Sequence, residues 1–525
     1  TIILTYGSSG KAGTNANGFN FPVSISLVTP VAPTPKNTPP PDSLIIPAVA
    51  HAQGANSSMF ESDVRVSNTG AQTQKYQLNF TLTGANATTS GQSTTIEIEP
   101  GATMALDDIL TTFFGASTEA SSSGVLEIRP LTSASSASAF SQSTVTAVAP
   151  STVASSRTFN QTSNGTFGQF IPAIPFGAFI GNNGSGNPAS ILSLQQIAQS
   201  PAYRTNFGVV EGSGEPADVR VSVFDNSNHK LAEIPISLQA GEHRQLNNFL
   251  AANGITLSDG RLEVQVTSLT GRVTAYASVV DNNTNDPLVV SPVLRGSTTS
   301  TRYVVPGVAD LNNGVASWRS DMRIYNDSTS PATATLTYYP QGNPGVPVTS
   351  TINLAAGEVR AIDNSLQSLY NVTNSGGAIA ITTPANANLV VTARTYNQTS
   401  NGTFGQFIPA VTPRESIGSR DNRSLQLLQL ESSDRFRTNI GIAETTGNAA
   451  TAEVSVIQPD SKVIPVISIP LAANEFRQFS LADFGLGTIY NARVTVRVVD
   501  GNGKVTAYGS VIDQITQDPT YVPAQ

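Results

Sequence analysis

Apolar and polar residues alternate with a period of two along most of the chain. Val219-Arg220-Val221-Ser222-Val223, Leu262-Glu263-Val264-Gln265-Val266 and Val494-Thr495-Val496-Arg497-Val498 each put aliphatic side chains on one face and polar ones on the other. That is the signature of antiparallel strands with one face on a core and one in water. Clusters of Asn, Gly, Asp and Ser break these runs roughly every 8–12 residues, the spacing expected of an all-β chain. Helix-forming stretches are confined to single turns, at Asp107–Phe114 and Asn364–Leu369. The sequence predicts Asp107 and Asp363 as their N-caps, because a short acidic side chain can accept from first-turn amides.

Self-similarity organises the strands. Arg157–Ala173 (Arg-Thr-Phe-Asn-Gln-Thr-Ser-Asn-Gly-Thr-Phe-Gly-Gln-Phe-Ile-Pro-Ala) recurs as Arg394–Ala410, with Tyr396 in place of Phe159 as the sole difference. Ser62–Val66 answers Ser320–Ile324, Arg204–Gly208 answers Arg437–Gly441, and Asp286-Pro287 answers Asp518-Pro519. Two modules therefore stand in tandem, and a weaker likeness divides each into an A and a B half. The turn Glu99-Pro100-Gly101 in one half has a partner in Gln239-Ala240-Gly241 of the other. The expected architecture is four tandem immunoglobulin-like antiparallel β-sandwiches strung A–B–A–B: 44–175 (A1), 176–296 (B1), 297–413 (A2) and 414–525 (B2).

The first 43 residues have no counterpart in the repeat. Residues 29–43 form a Pro-dense linker, expected to be extended and semi-rigid. Before it, Phe19, Phe21, Val23, Ile25 and Leu27 fall on one face of a strand-like run, with Asn20, Pro22, Ser24 and Ser26 opposite. Burying each such side chain stabilises by roughly 1.5–3 kcal/mol, and a lone hairpin has nowhere to bury five. Residues 1–28 therefore read as a β-strand tail. It could insert into a sheet edge of another copy, fold back on the first sandwich, or be the end of an upstream domain. The first option makes the five apolar residues a subunit interface, and a head-to-tail contact of that kind builds an open fibre.

Composition removes several function classes. The 525 residues contain 28 Lys+Arg against 36 Asp+Glu, a net charge of −8, which disfavours nucleic acid as a partner. With Cys at 0, thiolate catalysis, disulfides and Cys-ligated metal sites are excluded. No apolar run is long enough for a helical membrane span. Thr at position 1 suggests a processed, secreted chain. The three histidines, His51, His229 and His243, lie in no nucleophile motif, and no cofactor site is predicted. Glu61/Asp63 and Asp107/Asp108 are the carboxylate pairs to weigh for acid–base work on a glycan. Asp107 is already assigned to a cap and Asp63 to an outward strand position, so no enzyme is expected. Asp281-Asn-Asn-Thr-Asn-Asp286-Pro gathers oxygens as a weak calcium candidate, although its second copy, Asp513 to Asp518, keeps only the two Asp, which favours an Asx turn. Ser121–Ser123 and Thr132–Ser138 read as loops and candidate O-glycan sites. Asn-x-Ser/Thr recurs, for example at Asn86, Asn160, Asn164, Asn326 and Asn401.

The near-identical segment carries Phe159, Phe167 and Phe170 in the first module and Tyr396, Phe404 and Phe407 in the second, interleaved with Asn and Gln. Two readings stay open: a packed wedge fixing the junction of an A half with its own B half, or a face on which sugar rings stack. Arg394–Ala410, Phe436–Gly441 and Tyr276–Pro287 together resemble secreted bacterial proteins built from tandem β-sandwich repeats. That resemblance covers roughly residues 45–525, implies a surface location and brings no catalytic residues. The tail's arrangement is similar to donor-strand filament subunits by analogy alone. The expected function is therefore a structural subunit of an extracellular bacterial filament or surface layer, with other copies of itself as partner. A cell-surface adhesin or carbohydrate-binding stalk, and a non-catalytic accessory region of a larger secreted protein, are the alternatives.

Overall fold

The computed structural model describes residues 38–54, 58–116, 121–131, 151–162, 165–182, 184, 190–295, 300–459, 461–464 and 466–525. Phe19, Phe21, Val23, Ile25 and Leu27, residues 29–37 of the linker, Asn164 and Thr132–Ser138 lie outside them.

Antiparallel strands build the chain, and its α-helices are single turns such as Ile109–Thr112, Phe249–Ala252 and Ser365–Tyr370. Strands from Leu44 to Pro175 join into one nine-stranded sheet, and those from Arg302 to Pro409 into one of eight. In each, the first strand pairs with neighbours on both sides, so the sheet wraps around its own core. The B stretches each divide into a five-stranded and a four-stranded sheet. Four large clusters of buried aliphatic and aromatic side chains result, one per stretch. The period-two alternation is visible in burial: Val219, Val221 and Val223 are buried, as are Val494, Val496 and Val498.

Several local expectations need correction. The residues before the helical turns are Asp108 and Asn364, both in the left-handed region and neither capping through its side chain. Asp107 and Asp363 instead pair with Arg65 (2.6 Å) and Arg323 (2.9 Å). The amides of these N-cap residues find their acceptors across the sheet: Asp108 N–H donates to Asp63 Oδ1 (3.0 Å) and Asn364 N–H to Asp321 Oδ1 (2.8 Å). Asp63 is thus turned toward the helical turn rather than out to water, and burial raises its pKa. Ser122 and Ser123 belong to the strand Ser122–Leu131, not to a loop.

Sequence order is also not contact order. A1 meets B1 through Ile45, Val125, Phe176, Phe179 and Val210, and A2 meets B2 through Val304, Ala378, Phe476 and Tyr508. B1 meets A2 around Tyr325, Val359 and Val390, with Arg261 between the Phe224 and Tyr325 rings (4.2 and 4.3 Å). B2 returns to A1 through Arg65 Nε–Asn491 Oδ1 (2.8 Å) and Arg493 Nη2–Gly101 O (2.9 Å). The string closes into a ring of four stretches, and corresponding contacts repeat across a pseudo-two-fold axis.

Candidate functional site

The two copies of the repeated segment meet at the centre of that ring. Strand Gly165–Pro172 lies in A1 and strand Gly402–Pro409 in A2. The Phe167 and Phe404 rings stack at 5.7 Å, 16° from parallel, so each residue packs on its own counterpart. Phe170 enters the core of B2, and Phe407 that of B1. Phe159 and Tyr396 lie under the guanidinium groups of Arg157 (5.0 Å) and Arg394 (4.8 Å), on the same strands. Each segment therefore ties its A half to the B half of the other module as well as its own. The own-module link is Ser278 Oγ donating to Gln169 Oε1 (3.1 Å), repeated as Ser510 Oγ to Gln406 Oε1 (3.0 Å).

The cross-module link is made of carboxylates. Asp281 Oδ2 accepts from Thr403 N–H (3.0 Å) and Thr403 Oγ1 (2.9 Å); Asp513 Oδ2 accepts from Thr166 N–H and Oγ1, both at 2.9 Å. Asp281 Oδ1 closes an Asx turn on Asn283 N–H (2.9 Å), and Asp513 Oδ1 does the same on Ile515 N–H (2.8 Å). Asp286 Oδ2 accepts from Gly405 N–H (2.9 Å) and Asp518 Oδ2 from Gly168 N–H (3.1 Å). In the weak calcium candidate Asp281/Asp286, both Oδ2 atoms face N–H and O–H donors of A2 and Asp281 Oδ1 faces its own Asx turn, the turn the sequence favours. Among the described residues, no group of three or more His, Asp or Glu side chains could hold a metal ion.

Gly165 and Gly402 permit the approach. Both have positive φ, 110° and 138°. A Cβ on Gly165 would stand 2.8 Å from Thr516 Cγ2 and 3.0 Å from Asp513 Oδ1, and one on Gly402 would meet Thr284 and Asp281 at the same distances. The backbone amides could not reach the carboxylates past a side chain.

At the axis itself Asp286 faces Asp518. Both are buried, and each keeps one oxygen, Oδ1, that no donor reaches while both are ionised. Burial pushes Asp286 up to about 7; burial and then the charge of Asp286 push Asp518 well above the ordinary carboxylate range. Two like charges repel strongly in a dry site, so Asp286 ionises first and the geometry favours a proton retained on Asp518 between the two carboxyls. Arg157 and Arg394 lie close enough to favour the remaining negative charge, and burial lowers the pKa of Arg157. Beside the pair, Phe170, Phe407, Leu288, Tyr521 and the prolines 172, 287, 409 and 519 line a cleft of about 280 Å³.

The histidines have partners of their own within the fold. His51 Nδ1 pairs with Asp108 (3.0 Å), and exposed His229 with Asp225 (3.3 Å). His243 is buried between Thr83 Oγ1 (2.8 Å) and Tyr276 OH (3.0 Å), and burial lowers its pKa to about 4. Burial raises the pKa of Glu61. The carboxylates of Glu211 and Glu444, which sequence reasoning passed over, each collect a nest of loop amides: Ser213, Gly214 and Gly241 for one, Thr446, Gly447 and Asn474 for the other. The importance of Asp286 and Asp518 did have a sequence signal, since both modules keep the Asp–Asp–Pro frame and Thr284/Thr516 while the other residues between diverge.

Neither protein-family models nor curated proteins give a match to this chain.

Proposed function

We propose that the chain is a structural subunit of an extracellular bacterial filament or surface layer. In this reading four immunoglobulin-like sandwiches, with the boundaries expected from the repeat, form one rigid block. The strand tail of residues 1–28 inserts into a neighbouring subunit, on a linker that can reach roughly 45 Å at about 3.1 Å per residue. The observation that carries this is the inward turn of the repeated segment. Its aromatic rings stack on one another or enter neighbouring cores, and its amides are held by buried carboxylates. The best-preserved residues of the two modules thus serve to lock a block together, which suits a building element. The same rings are already covered as faces for sugar stacking, so the adhesin alternative finds less support in them.

The linear assembly rests on the tail's five aligned apolar residues, which an exposed ribbon would leave in water. Deleting residues 1–28 and sizing the product by light scattering and electron microscopy tests the proposal. Monomers of the truncated chain beside filaments of the full chain are the expected result; filaments from both would refute it.

A further inference from the structure

The two B stretches end their four-strand and five-strand sheets differently. In B1 the last strand, Lys230–Leu238, pairs with Ala217–Asp225, starting from Ala217 opposite Leu238. In B2 the last strand, Ile467–Leu471, pairs with Ala450–Ile457, starting from Ala450 opposite Leu471. Aligning these registers puts Lys230 and Glu233 of B1 at the positions of Val463 and Val466 in B2. Lys230 and Glu233 form an ion pair (2.7 Å), with Arg220 3.7 Å from Glu233. Charges at such positions keep a sheet edge from accepting another strand, because pairing would desolvate them. B2 carries no charge at those two positions: Val463, Val466 and Ile467 are 59, 49 and 38% exposed.

This edge borders a cleft of about 460 Å³ between Ile467–Leu471 and Phe476–Ser480, with Phe479 and Phe484 among its walls. Both bordering strands are the last in their sheets, so the two sheets of B2 open on the same side. An added strand could hydrogen-bond to Ile467–Ile469, Pro470 having no N–H to give, while alternate side chains fill the cleft.

We infer that the open B2 edge at Val463, Val466 and Ile467 is the acceptor for the Phe19–Leu27 strand of a second copy of this chain. The inference rests on the tail reading proposed above and adds the receiving site. Phe19–Val28 contains no ionisable residue, and neither does the edge sequence Val463–Leu471. The donor alternates apolar and small polar residues, as a strand with one face in a cleft must. A second copy is the source because the described chain begins at the A1–B1 contact, whereas the cleft beside Ile467–Leu471 lies at the A2–B2 contact. Thr38 donates to Ser213 O of B1 (3.2 Å) and Pro39 lies at the A1–B1 cleft. The cleft borders A2, where Gln341 donates to Gln478 O (3.1 Å), and the Val463 end of the edge lies by A1, where Thr103 N–H donates to Pro459 O (3.2 Å).

Complementation between two full-length variants tests this. An edge variant, Val463→Lys with Val466→Glu, copies the B1 charges; a tail variant carries Val23→Asp with Ile25→Asp. Each alone should remain monomeric in analytical ultracentrifugation, with self-association roughly a hundredfold weaker than wild type. Mixed, they should form a one-to-one dimer and no longer species, because one still donates and the other still accepts. Val463→Ser with Val466→Ser should weaken assembly in the same direction without new charge. If the tail variant is monomeric but the edge variant polymerises, the acceptor assignment fails and the tail reading stands. If the tail variant also polymerises, both fail. Two monomeric variants that do not complement overturn the acceptor assignment. A disulfide joining Ser24→Cys to Ser468→Cys within one molecule, in this cysteine-free chain, would overturn the second-copy source.

Discussion

Replacing Asp518 by Asn tests whether a single proton holds the centre of the ring. In the wild type, Gly168 N–H donates to Asp518 Oδ2 and Gly405 N–H to Asp286 Oδ2, which leaves both buried Oδ1 atoms without a donor. Burial raises Asp286 from its ordinary 3.8 to about 7, and Asp518 rises with it. In the unfolded chain both carboxyls lose their protons near pH 4. Between there and the folded pKa the native state binds more protons, so stability falls as pH rises and the contribution is gone above the folded pKa. A rise from 3.8 to about 7 corresponds to roughly 4 kcal/mol at its fullest. The charge of Asp286 raises Asp518 whereas the hydrogen bond from Asp518 lowers Asp286, so Asp286 ionises first and the proton left between them is Asp518's; the loss therefore runs on through the accessible window from about pH 6 to 8.5 and amounts to on the order of 2 kcal/mol or more. Asn presents the same shape, accepts from Gly168 through its carbonyl and donates an N–H to Asp286 at every pH. The variant should match wild type within about 1 kcal/mol near pH 6 and exceed it by roughly 2 kcal/mol near pH 8.5. Urea unfolding followed by the single tryptophan, Trp318, gives the comparison. His243, lowered to about 4 by burial, contributes with the opposite sign below about 6.5, and Asp513, lowered chiefly by its amide bonds, acts further to the acid side. Asp63, Asp259 and Asp321, raised by burial, share the sign of the pair. All of these are common to both proteins and cancel in the difference. A difference between the two proteins that does not change with pH, or an Asn variant weaker at the alkaline end, would refute the shared proton.

Phe407→Ala should cost about 3–5 kcal/mol, the usual range for an emptied aromatic site. Because Phe407 belongs to the B1 core, thermal melts should show B1 loosening together with A2; a change confined to A2 would contradict the cross-module contact. Gly402→Ala places a methyl about 2.8 Å from Thr284 Cγ2 at a φ of 138°, and should destabilise by roughly 2 kcal/mol or more. Ala substituted at exposed Gly342, also at positive φ but with nothing within 4 Å, is the control; equal losses would mean that strain alone, not the approach of Asp281, sets the requirement at Gly402.

The strands were legible because burial in a half-wet sheet imposes a period of two on side chains, and Val219–Val223 or Val494–Val498 carry it openly. The module repeat was legible because identity survives in Arg157–Ala173. What the pattern could not supply was the partner of each element. A capping carboxylate was expected beside the helical turn, at Asp107 and Asp363, whereas the acceptors are Asp63 and Asp321, more than 40 residues away. Likewise the Asp281–Asp286 turn reads locally as a loop with oxygens. Only the closure of the ring brings Thr403 and Gly405 to it, 122 and 119 residues on. Alternation along one strand records which face is buried, and nothing about which distant strand or loop covers it.

That closure also accounts for where the two modules have stayed alike. A residue on a pseudo-two-fold axis packs against its own counterpart, as in an isologous dimer. Phe167 stacks on Phe404 and Asp286 faces Asp518, so a change in one module alters the surroundings of the other. Two independent drifts are then coupled, and unilateral substitutions are penalised by several kcal/mol where the contact is buried. The outer edges are under no such coupling. B1 has Lys230 and Glu233 where B2 has exposed Val463 and Val466. A duplicated chain can therefore hold its centre fixed and give its two ends different surfaces. Donor and acceptor need not be equivalent on such a block, and that inequivalence is the condition for a polar head-to-tail fibre rather than a closed pair.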